Sequence, residues 1–320
     1  MSTIIFIASG CFLGWSLGAN HAANAFGVAV TTNMIKYRTA VILTGIFVIV
    51  GAYLNGKPGV ENLGTYGYNS GITTGMAAFL VLLSAGISCT VMTVLKMPIS
   101  TSQAIVGSII GWGAACGQAD WSATTKFASA WIATPICSIA VCYLLCKLSE
   151  KVVNGRIQSL AAFDTVIKIG YFATGIFGAY SLGANNVANA TGIYTGKLGL
   201  LSTDAAVLIG GAMIAIGAIT YGKRVMYTVG ARITTLSPLT GVIVVLSSAL
   251  TIFLFALIGI PISTTQATVG AVIGAGLVKG THNVDFKVLR NIFLAWFGTP
   301  TIAGLFTFLF GLVYFHFVVQ

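Results

Sequence analysis

The chain has 320 residues, 57% of them hydrophobic and only 7% charged, with a formal net charge of +10. A soluble domain carries roughly a quarter of its residues as Asp, Glu, Lys or Arg, so a soluble enzyme is excluded. A hydrocarbon core about 30 Å thick takes about 20 apolar residues per helix, which allows roughly ten spans with short loops.

Taken in chain order, the apolar runs predict segments near 4–30, 39–55, 74–95, 98–118, 127–147, 169–194, 204–222, 237–258, 261–278 and 291–317. The first run lacks the charged n-region and cleavage site of a signal peptide, so it is expected to be retained. The longest polar stretch falls halfway along and divides the chain into a first transmembrane repeat over 1–147, a cytoplasmic linker over 148–168 and a second repeat over 169–320. Each half holds an odd number of segments, so the second must enter the membrane in the opposite sense. The fold class read from this is an all-α polytopic membrane protein of two inverted-topology repeats, each of about five apolar segments.

Charge sets the expected orientation. With the N-terminus outside, the cytoplasmic loops hold Lys36, Arg38, Lys96, Lys147, Lys151, Arg156, Lys168, Lys223, Arg224, Arg232, Lys279, Lys287 and Arg290, whereas the outer loops hold only Lys57, Lys126 and Lys197. Cytoplasmic loops carry an excess of Lys and Arg, so both termini are expected outside, in a multi-pass protein of the plasma membrane. The basic residues stand singly or in pairs, the pattern of topology signals and not of a nucleic-acid patch. Most of Cys11, Cys89, Cys116, Cys137, Cys142 and Cys146 lie inside apolar segments without zinc-type spacing, and they read as small packing residues.

The two halves repeat one another. SLGANHAANAFG at 16–27 matches SLGANNVANATG at 181–192 in nine of twelve positions, and PISTSQAIVGSIIG at 98–111 matches PISTTQATVGAVIG at 261–274 in ten of fourteen. The offsets are 165 and 163 residues. Asn20, Asn24, Asn185 and Asn189 thus recur inside apolar segments, as do Ser100, Thr101, Ser102, Gln103, Ser263, Thr264, Thr265 and Gln266. An amide or hydroxyl facing lipid without a partner costs several kcal/mol, so these groups are expected to face inward. Pro98 and Pro261 precede the hydroxyl runs, and proline favours the start of a helix. A helix N-terminus offers free N–H groups and a positive dipole end, a ready anion site. Two such starts, on helices broken or re-entrant near the midplane, form a neutral cage of donors. Small residues such as Gly107, Gly111, Gly270 and Gly274 read as helix packing.

GANxxANA followed far downstream by P-I-S-T-[ST]-Q-A-x-V-G, each occurring twice, resembles the inorganic phosphate transporter (PiT) family, which includes CysP-type sulfate permeases. The resemblance spans both halves. It implies an inverted-repeat fold, often a homodimer, with an anion held between the GAN helices and the Ser/Thr hairpins. Carried over, the four asparagines and the hairpin hydroxyls are its substrate-binding groups. Phosphate symporters of the family typically carry GAND in both motifs; here His21 and Asn186 stand at those places, the candidate sites of the coupling ion.

The acids Glu61, Asp120, Glu150, Asp164, Asp204 and Asp285 all fall in or beside loops, so neither motif keeps a carboxylate. A buried sodium ion is usually held partly by a carboxylate, although carbonyl and side-chain oxygens can also hold it. Hydrogen phosphate carries an O–H that wants an acceptor, whereas sulfate wants donors alone. The pattern therefore leans toward a secondary transporter of a tetrahedral oxyanion, sulfate ahead of phosphate. Proton symport is the expected coupling; His21 has an unperturbed pKa near 6.5 and carries that proton or simply donates one bond between helices. A sodium- or proton-coupled phosphate symporter and a passive anion channel are the alternatives. No in-membrane nucleophile with a base and no HExxH run occurs, so no enzyme and no cofactor is expected.

Overall fold

The computed structural model describes residues 2–94, 99–153, 159–233, 237–278 and 286–318. Within them the chain forms α1 (Ser2–Thr31), α2 (Tyr37–Asn55), α3 (Lys57–Asn69), α4 (Gly75–Val94), α5 (Thr101–Cys116), α6 (Trp121–Val153), α7 (Leu160–Thr191), α8 (Thr203–Ile233), α9 (Pro238–Leu257), α10 (Thr264–Val278) and α11 (Phe286–Val318). All ten apolar segments are helices. The polar stretch at 148–168 is entered by helix from both sides, α6 running to Val153 and α7 starting at Leu160 behind the Ser159 cap.

Helix α3 is the element that hydrophobicity passes over, because KPGVENLGTYGYN is polar. Its cause is local. The first half breaks at Gly56, and Pro58 opens the next helix, a place where its missing N–H costs nothing. The second half has Gly222-Lys223 at the matching place and no proline, so α8 runs unbroken for 31 residues.

Among the described residues seven helices, α1, α2, α4, α6, α8, α9 and α11, are long and apolar enough to cross a membrane. Helices α5 and α10 have 16 and 15 residues. At a rise of 1.5 Å per residue each is about 24 Å long or less, too short to cross a core of about 30 Å alone. Exposed Ile132, Ile136 and Leu144 on α6, with Leu305, Leu309 and Leu312 on α11, give these helices faces suited to lipid.

The packing pairs the halves. α1 lies along α8, and its copy α7 lies along α2; α5 lies on α11, and α10 on α6. Each short helix therefore rests on the last helix of the opposite half. The crossings are tight enough to require glycine. A Cβ on Gly18 would collide with the Ile214 carbonyl, and one on Gly183 with the Val48 carbonyl, its counterpart. Gly107 and Gly111 meet Pro300 and Gly304, while Gly270 and Gly274 meet Pro135 and Ile139. These glycines pack helices, as their sequence suggests. Cys142 and Cys146 likewise pack with Ala271 and Ala275.

Direction can be read from the contacts. Gly10 approaches Ala190, whereas Gly178 approaches Ala25, so α1 and its copy α7 run antiparallel. Lys57 pairs with Asp204 at 2.5 Å and Lys197 lies 5.2 Å over the Tyr68 ring. Lys223 lies 5.7 Å over Tyr37. Each contact joins residues from the same expected face of the membrane.

Candidate functional site

The hairpin starts are built alike. Ser100 caps α5, its Oγ accepting from the Gln103 N–H at 3.3 Å, and Ser263 Oγ accepts from the Gln266 N–H at 3.2 Å. Capping uses one acceptor lone pair of each hydroxyl and leaves its O–H free to donate. Helix geometry leaves the N–H groups of Thr101 and Ser102, and of Thr264 and Thr265, without an intrahelical carbonyl. Pro261 lies before the helix and not in its first turn, which opens at Thr264. Pro98 lies outside the described residues.

The GAN motifs sit on α1 and α7, and here the halves part. Asn185 faces the backbone of Ile262: its Nδ2 donates to the Ile262 carbonyl at 2.9 Å, and the Ile262 N–H donates to its Oδ1 at 2.9 Å. Both ends of that amide are spent on positioning the second hairpin. Asn20 instead donates to the Ser16 carbonyl, one turn back on α1, at 2.9 Å. Asn189 Nδ2 donates to Asn186 Oδ1 at 3.2 Å, and Asn186 Nδ2 to the Leu182 carbonyl at 3.1 Å. Asn185, Asn186 and Asn189 are fully buried, whereas Asn20 and Asn24 are half-buried.

His21 occupies the place where both halves meet. Its Nδ1 lies 2.9 Å from Thr264 Oγ1 and its Nε2 lies 3.4 Å from Thr101 Oγ1. One imidazole therefore bridges the starts of α5 and α10. A neutral ring has one donor and one acceptor nitrogen, so one threonine donates to it and the other accepts. A charged ring donates from both nitrogens, and both threonine hydroxyls then turn their protons elsewhere. Asn186, the sequence counterpart of His21, bonds within α7 and bridges nothing comparable.

Among the described residues, Asn24 Nδ2, Ser102 Oγ, Gln103 Oε1, Asn189 Oδ1 and Gln266 Oε1 are buried without a hydrogen-bond partner. All five belong to the repeated motifs, as does Ser108 Oγ, which also lacks a partner, whereas Trp131 Nε1 on α6 lies outside them. Buried polar groups in folded proteins are nearly always satisfied, so this clustering marks a place where hydrogen bonds are held in reserve. The sequence-predicted residues thus differ in duty, with Asn20 and Asn186 bonded to carbonyls of their own helices. Ser100, Ser263 and Asn185 shape the hairpins, as does Thr265, which donates to the Ile99 carbonyl at 2.7 Å. Asn24, Ser102, Gln103, Asn189 and Gln266 keep unused polar atoms, and His21 joins Thr101 to Thr264.

Sequence reading missed Ser248. It lines, with His21, Asn24, Gly178, Leu182 and Ile252, a cavity of about 10 Å³ between α1, α7 and α9, about the room for a single water. No motif marks Ser248, which stands beside Ser247 and one turn before Thr251 in a mostly apolar helix. Among the described residues no three His, Cys, Asp or Glu side chains gather into a metal site.

The chain matches the model of the phosphate transporter family twice, over residues 17–169 and 155–307. A protein of Methanocaldococcus jannaschii, provisionally named a phosphate permease, is 31% identical over 91% of this chain and 91% of its own length. The sulfate permease CysP of Bacillus subtilis is 29% identical over 90% of this chain and 81% of its own length. A solved structure of a sodium-dependent phosphate transporter shares the fold with a TM-score of 0.86 at 22% identity, covering 99% of this chain and 100% of the other. The chain belongs to the phosphate transporter family.

Proposed function

We propose that this multi-pass member of the phosphate transporter family carries sulfate across the plasma membrane in symport with a proton. The observation that carries the reading is His21, held between Thr101 and Thr264 at the meeting of the two hairpins, where the resemblance leads one to expect a carboxylate. A dianion in a poorly solvated site needs charge compensation. A protonated imidazole supplies one positive charge and frees both threonine O–H groups to donate to the anion. The exposed N–H groups at the starts of α5 and α10 add further donors. Sulfate accepts at every oxygen and asks for no acceptor in return. Antiparallel α1 and α7, with the lysine distribution, support inverted halves that alternate access around this site with both termini outside.

One observation favours a second reading. Gln103 Oε1, Asn189 Oδ1 and Gln266 Oε1 are acceptors without partners. Amide oxygens of this kind suit a sodium ion or the O–H of hydrogen phosphate. A sodium-coupled phosphate symporter would use them directly.

Uptake of labelled sulfate and labelled phosphate into proteoliposomes, each under a sodium gradient or an inward proton gradient, decides between the readings. The sulfate reading expects concentrative sulfate uptake driven by protons alone. Sodium-driven phosphate uptake with no sulfate accumulation would overturn it, and flux that only dissipates a gradient would indicate a channel.

A further inference from the structure

The two copies of the hairpin motif hold different bonds, and the differences are complementary. In the sequence alignment of the halves Asn20 corresponds to Asn185, Ser16 to Ser181, Ile99 to Ile262 and Ser102 to Thr265. In the second half Asn185 holds both backbone groups of Ile262. In the first half Asn20 lies back on Ser16, and the Ile99 carbonyl is taken by Thr265 from the opposite hairpin. The counterpart of that last bond, from Ser102 to the Ile262 carbonyl, is absent, and Ser102 Oγ is buried without a partner. Asn185 bonds the Ile262 carbonyl, the sequence counterpart of the carbonyl that Thr265 takes in the first half.

We propose that these four side chains form an exchange latch that positions the hairpins and reverses roles at each turnover. This rests on the alternating-access reading above. In the reversed state Asn20 takes the N–H and C=O of Ile99, Ser102 donates to the Ile262 carbonyl, Asn185 folds back on Ser181, and Thr265 is left unpartnered. Each state holds the same set of bonds: two from one asparagine to an isoleucine backbone, one from a hydroxyl across to the other hairpin, and one from the second asparagine to its own helix. Neither state gains or loses a hydrogen bond overall, so the two can lie close in free energy, as a transporter that must visit both requires. The spare hydroxyl of Ser102 is then the waiting half of the switch and not a packing defect.

Amide hydrogen exchange at Ile99 and Ile262, read at residue resolution on the protein in lipid nanodiscs without substrate, tests the latch. Thr265→Val removes a bond of the present state only, and Asn185→Ala removes two bonds of the present state against one, to Ser181, of the reversed state. Both should speed exchange at Ile262 and slow it at Ile99, by roughly fivefold for each hydrogen bond lost. Asn20→Ala and Ser102→Ala weaken the reversed state and should do the opposite. The Thr265→Val and Ser102→Ala pair keeps the test intact if an asparagine variant fails to fold. Changes confined to the mutated hairpin, or of the same sign at both isoleucines, would overturn the latch. Because no substrate is present, a wrong identification of sulfate leaves this result unaltered, and a failed latch leaves the uptake result unaltered.

Discussion

Asn185 and Asn20 occupy the same place in two copies of one motif, yet one grips the opposing hairpin backbone and the other bonds its own helix. The apolar framework around them does not share this difference. Gly18 and Gly183 each meet a backbone carbonyl of the facing helix at equivalent positions, and α5 and α10 each rest on a proline-bearing helix of the other half. The contrast separates two kinds of interaction. Close packing obeys the duplication because a helix crossing tolerates only one spacing. Polar bonds depart from it because a carbonyl can take any of several donors within reach.

The comparison can be broken first at the crossings. Gly18→Ala and Gly183→Ala each push a methyl group into backbone, and overpacking of this kind costs about 1–3 kcal/mol or more. Both should lower the thermal unfolding midpoint in detergent by a similar, large amount. A marked gap between them would mean that the framework is not symmetric after all.

The asparagines should behave in the contrary way. Asn185→Ala strands the buried N–H of Ile262, worth about 1–3 kcal/mol when unsatisfied, and leaves only Ser102 to take up the freed carbonyl. Asn20→Ala loses one bond at a half-buried site, at a cost of about 1 kcal/mol. Unfolding measurements should therefore rank Asn185→Ala well below Asn20→Ala in stability, and equal losses would contradict the asymmetry.

Much of the fold was legible in the sequence, because hydrophobic runs and a duplicated motif carry it. The ten apolar segments, the packing glycines and the convergence of Thr101 with Thr264 follow from residue patterns that need no coordinates. Helix α3 was not legible, being polar and buried against its neighbours through Val60, Leu63 and Tyr66. The different duties of Asn20 and Asn185 were not legible either. Both stand in the same GAN context, and only the folded packing shows that Asn185 is the one that reaches an isoleucine backbone. The imidazole already set His21 apart from Asn186 in the sequence, but its bridging of α5 and α10 from α1 took the three-dimensional structure to see.

The proposed role of His21, compensating a dianion held by both hairpins, can be counted in protons. Calorimetric titration of sulfate into the purified protein near neutral pH, repeated in buffers of different ionisation enthalpy, counts the protons that accompany binding. The account predicts uptake of about one proton per sulfate bound, since an imidazole that is neutral beforehand becomes charged, and it predicts loss of that proton in His21→Gln. Sulfate binding without proton uptake, or an uptake that survives His21→Gln, would contradict it.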